Sequence, residues 1–214
     1  MQKLWVLVLI VAIWLLAVTL STGISELPEF PATQAVVVID AGHGGKDPGA
    51  IVDGVQEKDL NLAIALRVAV LAQDHPRLRI VLTRSSDRYV DLRERVLLAD
   101  QVGAALYLSI HANYNSHQKI CGVETLVDDS RAPTDLSFKL AEVVQASMCA
   151  ETGAQDRGVY TQRLYMRHTK LPAVLVEVGY LSCPSEQKKL LDPAYQERIA
   201  QGILRGILVF LGLN

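Results

Sequence analysis

From residue 35 onward the chain alternates between two hydrophobic patterns, and this alternation constrains its fold more than any other feature. Short apolar runs at 35–40, 78–83, 105–110, 122–127 and 173–178 read as strands. Between and after them lie helical stretches at 58–73, 91–101, 134–151 and 193–211, bounded by breakers such as His75-Pro76, Pro133 and Gly153. Strands interleaved with helices bury both faces of a sheet, which predicts one α/β domain: a mainly parallel twisted sheet with helices on both faces. A chain of 214 residues with 50% hydrophobic content can supply the core of such a domain. The GxxxG at 202–206 shares its helix with Arg198 and Arg205, so it predicts close packing on the sheet and not a second membrane span.

Ahead of this domain, residues 4–20 read LWVLVLIVAIWLLAVTL, with Lys3 just before them. The run exceeds the roughly 7 to 15 residues of a secretory signal core and reaches the roughly 17 to 25 needed to span a bilayer. We read residues 1–24 as an uncleaved membrane anchor, with a cleaved signal peptide as the alternative, and 25–34 as a short tether. Either reading exports residues 35–214 beyond the cytoplasmic membrane. A net charge of −2 gives no general attraction to polyanions, so a nucleic-acid partner is not expected. Cys121, Cys149 and Cys183 form no CxxC pair, and their odd number leaves at least one thiol unpaired.

The predicted first strand runs into a glycine-rich turn, VVVIDAGHGG at 36–45, which displays His43 at the strand's end. In open α/β sheets, ligands bind outside the carboxyl ends of the strands. His111 follows the strand ending LSI, Glu177 ends AVLVE, and Glu57 opens the first helix, a short loop away from His43. Two imidazoles and two carboxylates at one place make up a catalytic zinc site: three ligands, an open position for water, and a base. Singly, each has a plainer reading. His43 and His111 fit loop and strand-end histidines, and Glu57 suits a helix dipole. Glu177 is harder to dismiss, because an acid directly after Val176 enters a buried strand and needs a reason for its charge. GHGGK at 42–46 lacks the GxxxxGK spacing, and Asp47 follows where a phosphate loop has Ser or Thr, so no nucleotide is expected. His75 reads as a complement to a helix C-terminus, His117 as solvated, and His168 as a surface histidine, with a place along the substrate groove as its alternative.

The motifs IDAGHGGKDPGA, EKDLNL, LTR followed by LRERVLLAD, SIHAN, RGVY and PAVLVEVGYLS occur in that order. On them, the chain from residue 36 onward resembles the zinc-dependent N-acetylmuramoyl-L-alanine amidases, which cut the link between glycan strand and stem peptide in bacterial peptidoglycan. The resemblance implies that His43, Glu57 and His111 hold Zn2+ and that Glu177 is the catalytic base and acid. It also implies peptidoglycan as the partner and hydrolysis of the amide between N-acetylmuramic acid and L-alanine. Asn113, Arg84 and Arg95 match family positions and are candidates for substrate binding or for support behind the ligands, the arginines first as partners of acidic residues.

At 179–183 the chain reads GYLSC where the family usually has GFLSN. The passage at 128–133 leaves no room for the zinc-covering insert of regulated members, and no wall-binding repeat is expected. That layout resembles the spore-cortex, germination-type members and implies a role in spore cortex maturation. Two alternatives stand beside the amidase: a zinc hydrolase of another peptidoglycan bond, and a non-catalytic wall-binding protein.

Overall fold

The computed structural model describes residues 34–213; the predicted anchor and nearly all of the tether lie outside them. The main sheet has six strands: β1 (Ala35–Ala41), β4 (Leu78–Leu82), β5 (Leu106–Asn113), β6 (Val123–Asp128), β7 (Asp156–Gln162) and β8 (Ala173–Tyr180), in the order β4-β1-β5-β8-β6-β7. β2 (Ile51–Val52) and β3 (Val55–Gln56) form a separate hairpin. The helices are α1 (Glu57–Leu71), α2 (Leu92–Gln101), α3 (Leu136–Thr152), α4 (Pro184–Leu190) and α5 (Pro193–Leu211). All neighbours in the main sheet run parallel except β6 and β8, which are antiparallel. The N-terminal ends of β6 and β7 therefore lie at the same edge of the sheet as the C-terminal ends of β1, β5 and β8.

Side chains alternate across each strand, so even a wholly apolar run serves two layers. Val37, Ile39 and Ala41 of β1 face a core built with α1, α3 and α5. Val38 faces the opposite side, where Ala99 of α2 and Met166 pack with Tyr107 and Ala173. The expected α/β domain with helices on both faces is thus the observed one. The helix starts follow from local chemistry: Asp91, Asp135 and Asp192 each accept a hydrogen bond from a first-turn backbone N–H. α3 ends on Gly153 in the left-handed conformation, as its position in the sequence predicts.

Three expectations need correction. The glycines at 202 and 206 do not pack on the sheet. A Cβ on Gly206 would lie 2.6 Å from Val144 Cα, and one on Gly202 would lie 2.8 Å from Met148 Cα, so these glycines let α5 cross α3 with the backbones nearly touching. Helix against helix needs this clearance, whereas helix on sheet leaves room for a side chain. Second, β7 was not expected, because DRGVYTQ is an edge strand with a largely exposed face and no apolar run to betray it. Third, Glu177 lies within β8 and not at its end, since the strand continues to Tyr180. Among the described residues no helix is long and apolar enough to cross a membrane.

Candidate metal centre and its surroundings

At the shared edge of the sheet, one ligand atom each from His43, Glu57 and His111 lies within 4.8 Å of the others, a group that could hold a metal ion. His43 stands on the turn after β1 in the left-handed region, at φ 63°, a conformation that costs a non-glycine residue energy. Two buried arginines hold that turn. Arg95 donates to the carbonyls of Ala41 and His43 at 2.9 and 2.7 Å, and Arg84 donates to those of Ala41 and Gly42 at 2.8 and 3.0 Å. Asn61 Nδ2 also donates to Gly42 O, at 3.2 Å. The turn leaves these carbonyls pointing inward without strand partners, and a planar guanidinium fork satisfies several at once.

The two arginines differ in their acids. Arg95 meets Asp40 at 2.7 Å, both nearly fully buried, as expected of a partner for an acidic residue. Arg84 was expected to have such a partner too, but among the described residues no carboxylate lies within ion-pair distance of it. Carbonyls take the acid's place, including those of Lys58 at 2.8 Å and Ser86 at 3.3 Å. Because Arg84 is 1% exposed, it supports the turn from behind and does not reach the groove. Burial pushes the Asp40 carboxyl up, but the Arg95 guanidinium and the Ser109 and Thr83 hydroxyls outweigh it and hold the group below the usual carboxylate range.

Glu57, the first residue of α1, reaches both imidazoles. Its Oε2 is 3.2 Å from His43 Nε2 and its Oε1 is 2.9 Å from His111 Nδ1. Backbone N–H groups of Ala50 and Ala112, together with Asn61 Nδ2, complete its contacts. Burial raises the Glu57 carboxyl, yet the two histidines overcome it and draw it far below its ordinary value. His43 is likewise disfavoured as a cation by burial and carried above its ordinary value by Glu57 and Asp47. Asp47, not anticipated as a site residue, sits 2.9 Å from His43 Nδ1 and so turns Nε2 toward Glu57. Its sequence signal is its place four residues after His43, within the motif IDAGHGGKDPGA. The glycines of the turn clear space for the two histidines themselves: a Cβ on Gly42 would collide with the His111 ring, and one on Gly49 would lie 2.6 Å from His43 Cδ2.

Glu177 pairs with His111 across β5 and β8 and is buried. Among the described residues its Oε2 has no hydrogen-bond partner. Burial, then the charges of Glu57 and Glu124, push its carboxyl well above the ordinary value. A buried acid with an orphaned oxygen, set beside a His–Glu–His group, fits a centre completed by a cation and a substrate. These residues line an open groove of about 500 Å3 whose rim carries Ile51 and Tyr114.

Glu124 is a second residue that the strand-end rule misses. It lies directly opposite Glu177 on β6 and accepts hydrogen bonds from Asn113 Nδ2 at 2.8 Å, Tyr180 Oη at 3.1 Å and Arg157 Nε at 2.8 Å. Asn113 Oδ1 accepts from the backbone N–H of Tyr114 at 2.7 Å, so both ends of this amide are engaged by the protein at the groove wall. A disulfide joins Cys121, in the loop after β5, to Cys183, just after β8, and leaves Cys149 as the free thiol. The Asn-to-Cys departure at 183 therefore crosslinks the segments that follow two of the site's strands.

The family model for N-acetylmuramoyl-L-alanine amidases of the Amidase_3 type matches residues 37–209. Over 191 residues the chain is 38% identical to the N-acetylmuramoyl-L-alanine amidase LytC of Bacillus subtilis, covering 89% of this chain and 38% of LytC. It is 32% identical to the germination-specific N-acetylmuramoyl-L-alanine amidase of the same organism, covering 83% of this chain and 80% of that one. The fold superposes on the catalytic domain of CwlV, an N-acetylmuramoyl-L-alanine amidase from Bacillus (Paenibacillus) polymyxa var. colistinus, with a TM-score of 0.80 and 41% identity over 85% of this chain and all of that domain. The chain belongs to the N-acetylmuramoyl-L-alanine amidase family.

Proposed function

We propose that this protein hydrolyses the amide between N-acetylmuramic acid and L-alanine in peptidoglycan, with Zn2+ held by His43, Glu57 and His111. The observation that carries the reading is the buried Glu177, its Oε2 without a partner among the described residues, beside the His–Glu–His group in an open groove. Zinc, when bound, supplies the Lewis acidity that acidifies water and polarises a carbonyl. The chain's own residues do the rest. Glu177 takes the proton from the attacking water as it adds to the carbonyl carbon, then delivers it to the departing L-alanine nitrogen. Asp47 holds the His43 ring, and the two arginines hold the turn on which that ring stands.

The domain works outside the cytoplasmic membrane, anchored through residues 1–24 or released by their cleavage. The Cys121–Cys183 disulfide supports an oxidising compartment. Likeness to a germination-specific relative supports a role in spore cortex maturation. The test is digestion of purified peptidoglycan by the full chain with zinc, followed by analysis of the new ends. New L-alanine amino termini are expected; new ends inside the stem peptide would make the protein a peptidase, and no new ends would make it a binder.

A further inference from the structure

Arg157, in the RGVY motif, has no part in the chemistry above, yet the fold takes unusual measures to aim it. The parallel pairing of β6 with β7 is broken between Val123 and Glu124: Val123 faces Asp156, Glu124 faces Gly158, and Arg157 is the extra residue of a bulge. A bulge turns a side chain out of the regular alternation, and bulges gather beside active sites. The arginine's stem then crosses Gly122 so closely that a Cβ there would lie 2.7 Å from Arg157 Cγ. Its Nε donates to the buried Glu124 at 2.8 Å, and its guanidinium carbon lies 5.2 Å from the centre of the Tyr180 ring. Three contacts thus fix the plane of the fork. Among the described residues the two Nη groups make no hydrogen bond, and the side chain is 27% exposed.

We propose that Arg157 is the receptor for a free carboxylate on the stem peptide, one or two residues beyond the bond that is cut. The inference rests on the amidase reading and extends it to substrate recognition. Glu124, which pins Arg157, is the cross-strand neighbour of Glu177, and directly opposed residues have Cα atoms roughly 4.5–5.5 Å apart. An extended peptide advances about 3.3–3.6 Å per residue, so a group one or two residues past the scissile amide comes level with the guanidinium. The fork's free edge matches the two oxygens of a carboxylate. With Glu124 balancing part of its charge, Arg157 suits a single carboxylate better than a doubly charged phosphate. Ordering the side chain in advance removes much of the entropy cost of binding.

The test uses the full chain in detergent with zinc and two synthetic muramoyl peptides that differ only in carrying this group as a carboxylate or as a carboxamide. The wild type is expected to favour the acid in kcat/KM by about 10- to 100-fold, the range of a charge-assisted pair. In Arg157→Gln this ratio falls toward one, while Arg157→Lys, which keeps a point charge against Glu124, retains part of it. Gly122→Ala, at φ 118°, crowds both Gln155 O and the Arg157 stem without removing the charge and also lowers the ratio. A role in folding alone would reduce both substrates equally, so an unchanged ratio in folded, zinc-replete Arg157→Gln or Gly122→Ala overturns the proposal. A wild type that cuts both substrates equally overturns it while leaving the amidase reading intact; one that cuts neither overturns both.

Discussion

Replacing Arg95 by methionine tests whether the buried pair beneath the candidate metal centre does what its geometry implies. The substitution keeps a long apolar stem but removes every donor: to Asp40 and Ala41 O from Nη1, to His43 O from Nη2, and to Val90 O from Nε. Asp40 keeps the hydroxyls of Thr83 and Ser109 but no cation among the described residues. Breaking one side of a buried ion pair costs about 3–5 kcal/mol, because the remaining charge is stranded. In a domain of this size each kcal/mol moves Tm by roughly 2–4 °C, so Arg95→Met should melt roughly 6–20 °C below the wild type. Adding Asp40→Asn removes the stranded charge. The double variant should therefore be less destabilised than the sum of the singles, by about 1–3 kcal/mol, though the orphaned carbonyls of Ala41 and His43 keep it below wild type. Urea unfolding of the four proteins closes the cycle. Arg95→Met within about 1 kcal/mol of wild type, or strict additivity, would refute the reasoning.

The same carboxyl sets a pH dependence. Asp40 sits below its ordinary value in the folded protein, so its contribution is complete above the unfolded carboxylate pKa of about 3.9 and fades as pH falls through the folded value; the stability gap between wild type and Asp40→Asn, measured by urea melts at pH 7, 5 and 3, should shrink only at the lowest pH. Metal analysis separates ligands from base: His43→Ala and His111→Ala should lose zinc, whereas Glu177→Gln should keep it and lose on the order of 100- to 10,000-fold in rate, and equal zinc loss in all three would refute that division. Reducing the Cys121–Cys183 disulfide, whose partners are 62 residues apart, should cost about 4 kcal/mol by chain entropy, read as a lower urea midpoint; the unfolded, unreduced chain should titrate a single thiol, Cys149. Gly206→Val should force α5 off Val144 of α3 and lower stability by about 1–3 kcal/mol; an unchanged midpoint would mean that the crossing gives way freely.

Much of this molecule can be read from local pattern. Runs of β-branched residues, Asp caps and the Gly153 stop are decided within a few residues of each position, so the five apolar strands and four long helices are legible along the chain. The same holds for His43, Glu57 and His111. Parallel strands bring their carboxyl ends to one edge, and a rule about strand ends gathers these residues without any coordinates. The rule stops at β6 and β7, which run the other way. Glu124 and Arg157 stand near the beginnings of their strands, yet Glu124 arrives opposite Glu177, with Arg157 held against it, because β6 reverses against β8. Strand direction depends on which partner a strand finds, a long-range choice that no local run of residues records. Nor could any pattern tell Arg84, turned onto carbonyls, from Arg95, turned onto Asp40, since both are arginines before or within the same helical region and only the path of the turn after β1 assigns their partners. The cysteine pairing was open for the same reason: Cys121 and Cys183 meet because β5 and β8 are neighbours in the sheet. The sequence by itself determined the elements and the residues that a metal centre needs, because both depend on side-chain chemistry and short spacing. Tertiary structure alone decided what surrounds that centre, because burial, reversal and close approach are properties of segments brought together from far along the chain.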